Sequence, residues 1–171
     1  MVASDASFAD DEAERKSQGG RIGYYRGCAP DEYSSSKSHR VCYSTFMAEA
    51  LFASQAAKQA EYVRHMDSWS GVTTGGPIPL AIDNQATILS AAAPIRKWSP
   101  KSKAFDIDCK YITEAREAGA IDVYHANGDD FPVDAMTKAP PDSVLGNYYD
   151  KLQGPSKGRG QTTEHGPAVR K

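Results

Sequence analysis

The sequence predicts an α/β fold in which helices pack on a mixed sheet. Three observations carry this. Three strand-length segments lie ahead of the first helix, close enough together to pair as hairpins. Thr45 to Trp69 is rich in Ala and free of Gly and Pro, the composition of one long helix. Beyond it, strand-length and helix-length segments alternate, and alternation of that kind builds parallel neighbours.

Met1 to Ala6 reads as the first strand and Asp10 to Ser17 as a charged turn region. Gly20 to Gly27 holds Ile22, Tyr24 and Tyr25, strand-forming types at strand length. Glu32 to Tyr43 alternates loosely and carries Val41 and Tyr43, so a third strand is expected through Ser44. Ser44 or Thr45 then caps the long helix through its hydroxyl, and Gly71 with Gly75-Gly76-Pro77 ends it. Ile78 to Ile82 is a continuous apolar run of strand length. Asn84 to Ala92 is a short helix closed by Pro94, and Arg96 to Lys103 is a basic loop. Phe105 to Ala118 is a helix stopped at Gly119, and Ala120 to His125 is a strand. Val133 to Ala139 opens a last helix, interrupted by Pro140-Pro141 and resumed to about Leu152.

The chain has 171 residues, 40% hydrophobic and 25% charged, enough apolar content for the core of one domain. That domain is expected over residues 1–152. Residues 153–171 hold Gly154, Pro155, Gly158, Gly160, Gly166 and Pro167 with almost no apolar side chains, so a disordered, solvated tail is expected. Lys and Arg number 20 against 22 Asp and Glu, a net charge of -2. This excludes a strongly basic nucleic-acid binder, and any phosphate-binding surface has to be local. No apolar stretch approaches the ~20 residues of a membrane helix. The polar, acidic residues 1–17 show no signal or transit peptide. Cys28, Cys42 and Cys109 form no C-x-x-C pair, so neither a disulfide framework nor a zinc knuckle is expected, and a reducing intracellular compartment fits.

Four carboxylates fall at element boundaries. Asp5 ends the first strand, Glu49 lies in the first turns of the long helix, Asp83 follows the apolar strand and Asp134 opens the last helix. Open α/β sheets gather their sites at strand ends and adjoining helix starts. Asp83 is the most telling, because a charge directly after a fully apolar strand is costly unless hydrated, paired or metal-bound. Glu49 shares a helical face with Phe52, Ala53 and Ala56, which turns it toward the sheet. Oxygen ligands of this type suit Mg²⁺ or Mn²⁺ rather than Zn²⁺. Two such ions ~4 Å apart form a clamp for in-line phosphoryl displacement. The competing reading is ordinary: 22 acidic residues place some at boundaries by chance, and Asp near turns and helix starts caps backbone N–H groups.

Six blocks of residues carry a resemblance. Ser4-Asp5-Ala6-Ser7-Phe8-Ala9, followed by Arg15-Lys16-Ser17-Gln18-Gly19-Gly20, resembles S-D-A-D-W-A and then R-K-S-T-S-G, the opening of the ribonuclease H domain of copia-type LTR retrotransposon polyproteins. Ser35-Ser36-Lys37 is similar to that family's S-S-K-K, and Ser44-Thr45-Phe46-Met47-Ala48-Glu49-Ala50 in part to S-S-T-E-A-E-Y. Pro77 to Ala86 is similar to its strand followed by C-D-N-Q-S-A. Lys103 with Asp106-Ile107 resembles K-H-I-D-I, and Val133 to Ala139 resembles A-D-I-L-T-K-A. The blocks keep the family's order and cover roughly residues 2–152.

The resemblance implies the ribonuclease H fold, a five-stranded mixed sheet in the order 3-2-1-4-5 with helices on both faces. It implies endonucleolytic hydrolysis of the RNA strand of RNA–DNA hybrids by a two-metal mechanism, as the ribonuclease H part of a retrotransposon reverse transcriptase. Carried over by position, the family's catalytic, metal-binding carboxylates fall on Asp5, Glu49, Asp83 and Asp134. They would hold two Mg²⁺ ions, with Mn²⁺ as a substitute. The implied partners are the hybrid and the reverse transcriptase domain of the same polyprotein, with no membrane. The implied setting is intracellular: cytoplasm, nucleus or virus-like particles.

The chain also departs from the family. Ser7, Phe8, Met47, Ala104 and Lys110 stand where the family has Asp, Trp, Glu, His and His. His125 is a candidate replacement for the missing imidazole; a solvent-facing strand-end His is the other reading. A start at Met1, so close to Asp5, leads one to expect a detached fragment or a late-opening reading frame. A non-catalytic remnant, or a domain that only binds nucleic acid or a partner, is thus the alternative to an active enzyme.

RNA is told from DNA by groups that meet the 2′-hydroxyl in the minor groove. Asn84 and Gln85 have the amide chemistry for this, and Asn after a strand is equally a standard helix cap. The loop from Arg96 to Lys103 brings Arg96, Lys97, Lys101 and Lys103 together with Trp98, a set for phosphate tracking with stacking. A solvated loop with Trp98 tucked against the core is its alternative.

Overall fold

The structure is a computed structural model that describes residues 1–24, 30–72, 75–92, 103–126 and 132–138. Its strands are β1 (Val2–Ser7), β2 (Gln18–Tyr24), β3 (Pro30–Lys37), β4 (Ile78–Ile82) and β5 (Ile121–His125). Its helices are α1 (Thr45–Trp69), α2 (Gln85–Ala92) and α3 (Lys103–Glu117), followed by a 3-10 turn, Pro132–Met136. The sheet order is β3-β2-β1-β4-β5. β1, β2 and β3 pair antiparallel, while β1, β4 and β5 pair parallel, so the sheet is mixed as the element order predicts.

Side-chain alternation along the strands feeds two cores. On one face Val2, Ile78, Leu80, Ile82 and Ile121 pack with Ala53, Ala56, Ala57 and Ala60 of α1 and with Ile112 and Ala115 of α3. The four alanines let α1 lie close to the sheet, and burial of this apolar surface is the main drive for the layer. On the other face Ala3, Ile22 and Ala81 receive Val133 and Met136 of the 3-10 turn. Ser44 is the cap chosen for α1: its hydroxyl accepts from Met47 N–H at 3.2 Å. Gly71 closes the helix at φ 70°, a conformation glycine adopts without strain.

Several boundaries differ from expectation. Asp5 lies inside β1 rather than at its end. β2 begins at Gln18, two residues early, and residues 25–27 of the expected strand lie outside the described residues. β3 ends at Lys37, well before Ser44. Ser38 turns the chain there, because its N–H donates to Ser17 O at 2.8 Å and its hydroxyl to Arg40 O at 2.7 Å. Asn84 caps α2 instead of opening it, and α3 takes Lys103 into its first turn. The expected last helix is, over its described part, the 3-10 turn. The turn is held against the sheet by Ser35, whose hydroxyl donates to Met136 O, and by the space that Gly20 leaves for Met136.

Residues 93–102, the resumed part of the last helix and the expected tail lie outside the described residues, as does Cys28. Cys42 and Cys109 are buried free thiols. No helix of the described residues is long and apolar enough to cross a membrane.

Candidate metal and active site

The parallel pairing of β1 with β4 places the site. Ser4 is in register with Ile82, so the next residues, Asp5 within β1 and Asp83 just beyond β4, lie side by side. Glu49, near the start of α1, reaches the same edge and is 4% exposed; Asp5 is 1% exposed. One carboxylate oxygen from each of Asp5, Glu49 and Asp83 lies within 4.8 Å of the others. Asp5 Oδ1, Glu49 Oε2 and Asp83 Oδ1 are all buried without a hydrogen-bond partner among the described residues. Buried polar atoms are normally satisfied. Three carboxylates that converge, each with a buried oxygen lacking a partner among the described residues, fit a hard divalent cation, which takes oxygen ligands.

Asp134 joins from the 3-10 turn, against Asp5 and Asp83. The turn is pinned to the sheet. Thr137 donates its hydroxyl to Asp5 Oδ2, and Ser35 donates its hydroxyl to Met136 O. Gly20, paired with Asp5 across β1 and β2, leaves room for the turn. A Cβ there would meet Met136 Cβ at 2.5 Å and Val133 O at 3.2 Å. Lys138 Nζ stands 3.2 Å from Asp134 Oδ1.

Crowding of like charges sets the electrostatics. Burial, then the charges of Asp83 and Asp5, push the Glu49 carboxyl up to about 9. Burial and the Asp134 charge raise Asp83. Burial, then the charge and hydrogen bond of Asp5, raise Asp134. Burial lowers Lys138, but the charges of Asp5, Asp134 and Asp83 together outweigh it and hold the ammonium above its ordinary range. Glu49 binds its proton more tightly in the folded than in the unfolded chain, so metal-free stability falls as pH rises from the ordinary carboxylate range toward about 9. Melting temperature against pH in the presence of a chelator is expected to show this fall, with its part above neutral pH reduced in Glu49→Gln. An unchanged profile in that variant would contradict the assignment.

The other sequence-predicted residues divide. Asn84 Oδ1 accepts from Thr87 N–H at 3.1 Å, so the capping role is realised. Gln85 is exposed at the start of α2. Lys103 opens α3, while Arg96, Lys97, Trp98 and Lys101 lie outside the described residues. His125 ends β5, with Nε2 2.9 Å from Asp83 O. Sequence reasoning gave no role to Gly20, Thr137 or Lys138. The available signal was the spacing of Thr137 and Lys138 three and four residues after Asp134.

No family model matches the chain. In sequence it is 26% identical over 149 residues to the Retrovirus-related Pol polyprotein from transposon RE1 of Arabidopsis thaliana, and 25% identical over 149 residues to that from transposon RE2. Each alignment takes in 87% of this chain and 10% of the relative, so the chain spans about a tenth of the length of the curated relatives it matches. In structure it is similar to LC11-RNase H1, crystallised in complex with RNA/DNA hybrid, with a TM-score of 0.57 at 10% identity over 84% of this chain and 97% of that one. It is also similar to the PFV RNase H domain in solution, with a TM-score of 0.51 at 18% identity over 88% and 89%. The fold is that of ribonuclease H, and the sequence relatives are transposon Pol polyproteins.

Proposed function

We propose that this chain is a divalent-metal-dependent endonuclease that cuts the RNA strand of RNA–DNA hybrids, as the ribonuclease H part of a copia-type retrotransposon reverse transcriptase. The observation that carries the reading is the convergence of Asp5, Glu49 and Asp83 beside Asp134, each of the three holding a buried oxygen without a partner among the described residues. The ribonuclease H fold and the similarity to transposon Pol polyproteins support it, and the latter supports a reverse transcriptase domain as partner.

Asp5, Glu49, Asp83 and Asp134 would hold two Mg²⁺ ions, with Mn²⁺ as a substitute. Ions bound there would activate water and stabilise charge on the leaving oxygen in phosphodiester hydrolysis. The chain's own residues supply position. β1 and α1 hold Asp5 and Glu49 in buried, packed settings, and Thr137 fixes the carboxylate plane of Asp5 through Oδ2, which leaves Oδ1 for a cation. Asp83 and Asp134 are half-buried, so the cluster opens to solvent on the side from which a phosphodiester arrives. Asn84 commits its carbonyl oxygen to Thr87 N–H, and its NH₂ would donate to an acceptor such as a 2′-hydroxyl, with Gln85 beside it. Arg96, Lys97, Trp98, Lys101 and Lys103 would track the hybrid backbone, supplying the local positive charge that a chain of net charge -2 needs.

The direct experiment uses a hybrid with labelled RNA. With Mg²⁺ the protein is expected to shorten the RNA strand, leaving 5′-phosphate and 3′-hydroxyl ends, to spare duplex DNA, and to stop on chelation. An intact hybrid after incubation with well-folded protein at saturating Mg²⁺ or Mn²⁺ overturns the reading.

A further inference from the structure

We propose that Lys138 is a built-in counter-cation of the acidic site, competing with a divalent ion for Asp134 and so setting how tightly the site holds metal. The inference rests on reading the carboxylate cluster as a metal site. Four carboxylates meet where β1 and β4 end, and among the described residues Lys138 bears on all of them: it sits 3.2 Å from Asp134 Oδ1, and its charge interacts with those of Asp5, Asp83 and Glu49. His125, beside Asp83, is the other titratable base there.

The position of Lys138 is set by its backbone. Lys138 N–H donates to Asp134 O at 3.0 Å, and Thr137 N–H donates to the same oxygen at 3.1 Å. Thr137 and Met136 are tied to Asp5 and Ser35, and Met136 presses on the space left by Gly20. The ammonium is therefore delivered to the cluster by the turn that delivers Asp134. Its side chain is 55% exposed, against 19% for Asp134, so it has room to swing into water when a cation takes the carboxylate. A divalent ion entering beside Asp134 must break this pair or lie against a like charge. Both weaken metal binding, while in the metal-free protein the ammonium relieves carboxylate repulsion. Lys138 is thus a positioning residue that acts through Asp134.

The test uses the full chain, Mn²⁺ as the probe and no nucleic acid. Lys138→Met keeps most of the length of the side chain and removes the charge; Lys138→Arg keeps the charge. In a spin-resonance titration Lys138→Met is expected to bind Mn²⁺ on the order of tenfold more tightly than wild type. Its metal-free melting temperature should be lower, and Lys138→Arg should stay close to wild type in both. Tighter binding in Lys138→Met alone supports the proposal even where wild type binds too weakly to measure. If wild type binds Mn²⁺ and Lys138→Met binds it equally or more weakly, the counter-cation role is overturned and the metal site stands. If neither binds Mn²⁺, the metal-site reading falls and takes this inference with it.

Discussion

Asp83→Asn is expected to cut hybrid cleavage at least about a thousand-fold, ~4 kcal/mol of lost transition-state stabilisation, while leaving the fold intact. Asp83 follows the apolar strand β4 and contributes a buried oxygen with no hydrogen-bond partner among the described residues. Asn is nearly the same shape but lacks the charge a cation needs. The same change removes repulsion, because Asp83 raises Glu49 and is itself raised by Asp134. Metal-free stability should therefore hold or rise as activity disappears. Single-turnover cleavage and thermal melting of the same sample separate the two effects. Activity within tenfold of wild type would show that Asp83 holds no essential cation, and a large loss of stability would show that its role is structural.

Gly19→Ala is expected to act the other way, through the fold. A Cβ at Gly19 would lie 2.0 to 2.2 Å from three ring atoms of Phe52. Phe52 is buried with Ala6, Cys42, Ala48 and Leu51, so the ring has no free space to yield into. Overpacking of a tight core typically costs about 1–3 kcal/mol, occasionally more. With three ring atoms inside van der Waals contact, about 3 kcal/mol is the fitting expectation, a fall in melting temperature on the order of 10 °C. Phe52 lies one helical turn beyond Glu49, so the strain displaces α1 and activity falls as well. Gly20→Ala makes the contrast. Its new Cβ presses on Met136 and Val133 O, which carry the turn with Asp134. Its loss should appear mainly in metal binding and cleavage, with the smaller change in melting temperature. Equal, negligible shifts in both variants would show that neither glycine serves close approach.

Much of the frame was legible in local sequence. The Ala-rich, Gly-free run of α1, the apolar run of β4 and the glycine stops at Gly71 and Gly119 are each decided within a turn or two of chain. The strand order was not legible in periodicity; it came with the resemblance. β3 was overextended because Val41 and Tyr43 look strand-like, whereas the strand ends through bonds between Ser38 and Ser17, twenty-one residues apart. The residues around Asp134 read as the opening of a helix, whereas the structure holds Asp134 within a 3-10 turn docked against Gly20 and Ser35, partners that lie far off in the chain.

The sequence by itself determined the α/β class and the elements with strong internal patterns, and it singled out the four carboxylates, though Asp5 lies inside β1 and not at its boundary. These follow from apolar spacing and capping chemistry, which a residue shares only with near neighbours. Tertiary structure alone decided that Asp5, Glu49 and Asp83 meet within 4.8 Å, that Thr137 holds Asp5, and that Lys138 faces the cluster. Those facts depend on the register of β1 against β4 and on the close approach allowed by Gly19 and Gly20. Both are contacts between residues far apart in the chain, and no local pattern encodes which partner a buried charge will find.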